Sequence, residues 1–135
     1  MKKIKKLQKF AAILLMFAVL IGFTSCQKDE TIFDKIVGRT WVGDLWFGSD
    51  QSPIESGVYL GGDGFGTDEQ YYYNSNRPYQ TLNITWEVSN GTIIIRYGNR
   101  ADTRELRNAY VSNGQINADL YINGRFVDDI VLKRQ

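Results

Sequence analysis

The residues best equipped for recognition chemistry are tyrosines. Tyr71, Tyr72 and Tyr73 are consecutive, and Tyr79 follows closely. Such rings stack on sugars and apolar ligands while their hydroxyls form hydrogen bonds; tyrosine is also a favoured strand residue, so a binding rim and plain packing are both open readings. In an extended chain Tyr71 and Tyr73 share one face and Tyr72 takes the other, which makes Tyr71 and Tyr73 the candidate ligand contacts. Carboxylates come second. Asp63, Asp68 and Glu69 surround a glycine-bearing turn, but their spacing is not that of a calcium loop. Glu87 with Glu105, or Asp128 with Asp129, would serve a glycosidase only if two carboxylates faced each other about 5–9 Å apart across a cleft, and adjacent Asp128 and Asp129 point to opposite faces of a regular strand. The chain has no histidine and one cysteine, which removes imidazole bases and thiolate clusters. No catalytic residue, metal ligand set or cofactor site emerges, and the expectation is a protein that is not an enzyme.

The one cysteine, Cys26, ends a patterned N-terminal segment. Lys2, Lys3, Lys5, Lys6 and Lys9 come first, an uncharged run from Phe10 to Phe23 follows, and Thr24-Ser25 lead into Cys26. That order of basic, apolar and small residues is the order of a secretory signal. At about 1.5 Å per residue the apolar run spans roughly 21 Å, short of the ~30 Å hydrocarbon core, so residues 1–25 are expected to be a removable signal and not a permanent span. Removing them takes five of the 16 basic residues and none of the 15 acidic ones, leaving a net charge of −4. A mildly acidic domain without a basic run is a poor partner for nucleic acid, whose binding rests on Lys and Arg displacing counterions.

Thr24-Ser25-Cys26 resembles the lipobox of bacterial lipoproteins, with Phe23 where leucine is commonest. The resemblance implies lipid attachment at Cys26 and a bilayer as partner; an unmodified thiol at an exported N-terminus would be a chemical liability. Residues 26–30 then form the lipidated cysteine and its tether. Gln27-Lys28-Asp29-Glu30 resembles the acidic surface-export signal of Bacteroidetes lipoproteins, which implies a place in the outer membrane facing the cell surface, with a plain tether on the periplasmic face as the alternative.

Residues 31–135 read as one domain. Ile32, Phe33, Ile36 and Val37 line one face of a short helix, with Thr31 to cap it and Gly38 to end it. Beyond Gly38 the pattern becomes β-branched and aromatic, and the expected strands are 40–47, 56–61, 65–73, 80–88, 92–97, 105–112, 115–122 and 125–133. Asp63-Gly64, Asn90-Gly91, Asn113-Gly114 and Asn123-Gly124 supply hairpin turns. In the last strand Phe126, Ile130 and Leu132 share parity with Asp128, so either a bulge near Asp128-Asp129 or an inward carboxylate is required. Eight antiparallel strands can close and remove their exposed edges. The expected class is therefore all-β, a small eight-stranded antiparallel up-and-down barrel with a short N-terminal helix; a β-sandwich is the alternative.

Three segments then resemble lipocalin-like proteins, and in particular small Bacteroidetes lipocalin-like lipoproteins: Gly38-Arg39-Thr40-Trp41, the stretch from Tyr59 to Thr67, and the stretch from Trp86 to Ile95. The resemblance implies a lipocalin-like barrel in which Trp41 is a structural plug at the closed end beneath the helix. The chain is shorter than animal lipocalins and lacks their disulfides. The resemblance carries a non-catalytic function, binding of a small molecule, a glycan or an envelope protein. The competing expectation is an interaction or inhibitor protein with a filled core, accessory to an envelope complex. An interior space of roughly 300 Å³ or more would separate the two.

Overall fold

A computed structural model describes residues 32–98 and 102–135. The expected signal (1–25), Cys26 with the expected tether, and Thr31 lie outside the described residues. One short helix, α1 (residues 32–36), precedes β1 (Thr40–Gly43), β2 (Ile54–Leu60), β3 (Phe65–Tyr72), β4 (Pro78–Ser89), β5 (Thr92–Tyr97), β6 (Thr103–Ser112), β7 (Gln115–Ile122) and β8 (Arg125–Arg134). Each strand pairs with the next, and β8 returns to β1, so the sheet is a closed up-and-down barrel of the lipocalin-like type and not a sandwich. Local chemistry drives this meander. Asn90-Gly91, Asn113-Gly114 and Asn123-Gly124 all hold positive φ at both residues, the geometry whose twist matches that of the flanking strands. At Asp63-Gly64 only the glycine is left-handed, and the Asp63 carboxylate instead accepts the Phe65 N–H at 3.0 Å.

Two departures from the sequence pattern shape the surface. β1 ends at Gly43, four residues short of the expected 47, because the Asp44 carboxylate accepts the Trp46 N–H at 2.7 Å and turns the chain out of the strand. Residues 44–53 thereby become a strap between β1 and β2. In β8 the register against β7 shifts between Leu120↔Asp128 and Tyr121↔Phe126. That bulge lets Val127 pack against the core and places Phe126 outside, edge-on to Tyr121 with ring centres 5.6 Å apart. Asp128 is exposed. The inward place expected for Phe126 is thus corrected, since the extra residue reverses the alternation below Asp128.

The barrel interior is filled by side chains. Seven strands send apolar groups inward, among them Trp41, Val58, Ile84, Ile95, Leu106 and Leu120, all nearly inaccessible. The exception is β3, whose inward residues Asp68 and Gln70 are polar and buried. At one end α1 lies across the opening. Trp41, 1 % exposed, donates its indole N–H to Ile36 O at 3.0 Å, Trp86 donates to Gly61 O at 2.8 Å, and Phe33 stacks on Trp86 with ring centres 4.9 Å apart. Both indoles bury their rings without orphaning a donor.

Candidate functional site

The end of the barrel opposite α1 is closed by the strap. Leu45 is fully buried, and Phe47 meets Tyr97 edge-on at 5.0 Å. Arg104, on the inward face of β6, holds the strap down: Nε donates to Leu45 O at 3.1 Å, and its guanidinium carbon lies 4.0 Å from the Phe47 ring centre. Asp102 lies 3.6 Å from the same guanidinium. An arginine presents several donors in a rigid plane, so one side chain can bind strap carbonyls and a ring face together.

Beneath the strap Asp68 forms the centre of a polar cluster. Its Oδ2 accepts from Tyr97 OH at 2.7 Å, Ser56 Oγ at 3.1 Å and Gln70 Nε2 at 3.1 Å, while Gln80 Nε2 donates to Gln70 Oε1 at 2.8 Å. The other oxygen, Oδ1, has no hydrogen-bond partner among the described residues. Burial pushes the Asp68 carboxyl above its ordinary value, against the lowering effect of these donors and of Arg104. Burial also raises Tyr97, and the Asp68 carboxylate adds to that. Held by one another and by Ser56 and Gln70, this carboxyl and phenol make a hydrogen-bonded brace beneath the strap.

The outer face carries the accessible features. Tyr71 and Tyr73 both point outward but line different depressions. Tyr71 donates to Glu69 at 3.3 Å and, with Tyr59 and Glu55, borders a hollow of about 270 Å³ over Gly57. Tyr73 belongs to a larger groove of about 540 Å³ along the seam where β8 meets β1, which it shares with Asp44, Trp46, Glu55, Asp128 and Asp129. The Tyr73 hydroxyl is pushed up to about 12 by partial burial and then by the carboxylates of Glu55 and Asp44. The two tyrosines therefore do not form one rim at the mouth of the barrel. Tyr72 turns inward and packs edge-on with Tyr79 at 5.3 Å.

The remaining acids are spread over the outside. Glu87 pairs with Arg96 at 3.3 Å, and Glu105 pairs with Arg107 at 2.7 Å. Asp119 and Asp129 sit opposite each other on β7 and β8; Asn108 donates to Asp119 at 2.9 Å and holds it low, while hydrogen bonding to Asp119 raises Asp129. Among the described residues no group of three or more acidic or other ligating side chains could hold a metal ion.

For Arg104, Asp68 and Trp46 the sequence pattern falls short: it offers Asp68 only as a carboxylate near a turn, and it offers no role for Arg104 or Trp46. A signal existed for the first two: Arg104 shares parity with Leu106, and Asp68 with Gln70 and the inward Tyr72. Trp46 had no such signal, because its exposure depends on β1 stopping early. No known protein family matches the chain, and no curated protein or solved structure gives a significant match.

Proposed function

We propose that this protein is a non-catalytic interaction module, held at a bacterial outer membrane by lipid on Cys26, that recognises its partner with the outer face of a filled barrel. The observation that carries this reading is the interior itself. Inward side chains of all eight strands meet in the core, and Arg104 seals the remaining end by binding Leu45 O. A carrier of apolar small molecules needs an interior space of roughly 300 Å³ or more, whereas the largest depression described above lies on the seam, outside the sheet. The outward aromatics Trp46, Tyr59, Tyr71, Tyr73, Tyr110 and Phe126 favour the same reading, because exposed aromatic rings supply rigid contact area at low entropic cost. The N-terminal pattern around Cys26 supports the anchor, and Asp29-Glu30 support display at the cell surface.

The test is titration of the full chain in detergent with a fluorescent fatty acid. This reading expects no saturable uptake. Saturable uptake at one probe per chain, lost on introducing a bulkier side chain at Ala118, would establish an interior binding site and overturn it.

A further inference from the structure

The end of the barrel that carries α1 differs in charge from the rest of the molecule. Lys35 lies on α1, Arg39 joins α1 to β1, and Lys133 and Arg134 finish β8. All four are exposed, and none belongs to an ion pair among the described residues. The backbone gathers them at one end: Arg39 O accepts the Leu60 N–H, Gln135 donates to Thr40 O, and Arg134 donates to Gly114 O in the turn between β6 and β7. The acids here are Asp34 on α1 and Asp63, whose carboxylate is engaged by the Phe65 N–H. Even with a carboxylate at Gln135 the cations are in excess. Elsewhere the described residues carry eleven acids and five arginines, so the flanks and the strap end are acidic. Phe65, 62 % exposed and the most exposed large apolar side chain among the described residues, starts β3 at the same end as the four cations. A single exposed phenylalanine is ordinary; its place beside these cations joins the two side-chain types that settle into a headgroup layer.

The length of chain back to Cys26 limits which end can meet a bilayer. Six residue steps separate Cys26 from Ile32, where α1 begins, and fully extended they reach at most about 20 Å. The barrel wall is taller. β8 has 10 residues, which at ~3.3 Å each and ~40° of tilt give a height of about 25 Å. With Cys26 held in the membrane, the tether is too short for the barrel to stand on its strap end. It would still permit the barrel to lie on its side, but the flanks expose Glu69, Glu87, Asp128 and Asp129, and phosphate-bearing headgroups repel such a face while attracting Lys and Arg.

We infer that the α1 end is a membrane-docking surface: Lys35, Arg39, Lys133 and Arg134 meet the phosphates of an anionic bilayer, Phe65 enters the headgroup layer beside them, and the barrel stands upright. The strap then points away from the membrane, with Trp46, Tyr73, Tyr79 and Phe126 turned to the medium where a partner would arrive. The inference deepens the anchored reading proposed above and rests on lipid attachment at Cys26.

The experiment reconstitutes the membrane-bound protein in nanodiscs of phosphatidylethanolamine and phosphatidylglycerol that carry a gadolinium-chelating headgroup, and reads paramagnetic broadening of each amide. Broadening should be strongest at residues 35–39, 63–65, 113–114 and 133–135 and weakest at 48–52, 74–78 and 123–126. Nanodiscs of phosphatidylcholine alone should reduce that contrast at least threefold, and so should Lys35→Gln, Arg39→Gln and Arg134→Gln combined, whereas Arg125→Gln at the strap end should leave it unchanged. Broadening centred on the strap end, or equal along the barrel, would overturn the inference. A contrast that survives both the neutral lipid and the triple substitution would also overturn it, since the tether alone would then set the orientation. These failures concern protein that is bound, so they leave the anchor intact; a protein that never associates with the nanodiscs would overturn the anchor and the docking surface together.

Discussion

Arg104 on β6 donates its Nε–H to Leu45 O on the strap at 3.1 Å, a contact across 59 residues of sequence. Through it one buried guanidinium closes the end of the barrel and fixes the backbone that presents Trp46. Replacing Arg104 by Met removes the donors while keeping the apolar stem, and leaves strap carbonyls without them. Such losses cost about 2–4 kcal/mol. Denaturant unfolding should show a decrease of that size, and amide exchange over 44–53 should accelerate more than exchange in β4 or β7. Unaltered strap exchange would contradict the clamp.

Trp41 and Tyr71 make a contrasting pair. Trp41 is buried under α1 and hydrogen-bonded to Ile36, so Trp41→Ala should cost about 3–5 kcal/mol in unfolding free energy. Tyr71 lies on the outer face, and Tyr71→Ala should change stability by less than about 1 kcal/mol. Equal losses in the two variants would contradict these placements.

Much of this architecture is legible in the residues and their order. The three Asn-Gly turns, the apolar face of α1 and the alternation of β4 and β7 each depend on neighbours in sequence, and local pattern reports them. What pattern could not supply depends on distant partners. β1 stops at Gly43 because Asp44 turns the chain and Arg104, on β6, holds the following carbonyls; nothing within residues 40–47 announces an arginine from another strand. Asp68 carried a visible sign, a carboxylate at inward parity, but its burial is tolerable only because Tyr97, Ser56 and Gln70 converge on it. Tyr71 and Tyr73 share a face as alternation requires, yet the break between β3 and its turn separates them into different depressions.

Asp68 also predicts a pH dependence with a definite sign. Its folded carboxyl titrates above the ordinary value of 3.8. Between 3.8 and the raised value the folded protein keeps a proton that the unfolded chain has lost. The contribution of Asp68 is therefore fully present below 3.8, declines as pH rises through that window by at most about 1.4 kcal/mol per pH unit, and is constant above it. Asp68→Asn removes this titration. Unfolding curves of the native protein and the variant, compared at each pH from 3 upward, should diverge to the native protein's disadvantage; a difference independent of pH would contradict the assignment.

Cys26 tests the anchor. Each buried methylene contributes about 0.8 kcal/mol, so two or more acyl chains hold a small domain at a bilayer. Cys26→Ala should move the protein from membrane to soluble fractions, and unchanged membrane association would contradict lipid attachment there.

A barrel packed by its own side chains leaves no room inside for an apolar guest. The most direct measurement is amide chemical-shift mapping of the full chain during titration with a fatty acid. The predicted result is that Ile95, Leu106 and Leu120 do not move. Saturable shifts centred on those three inward residues would contradict it.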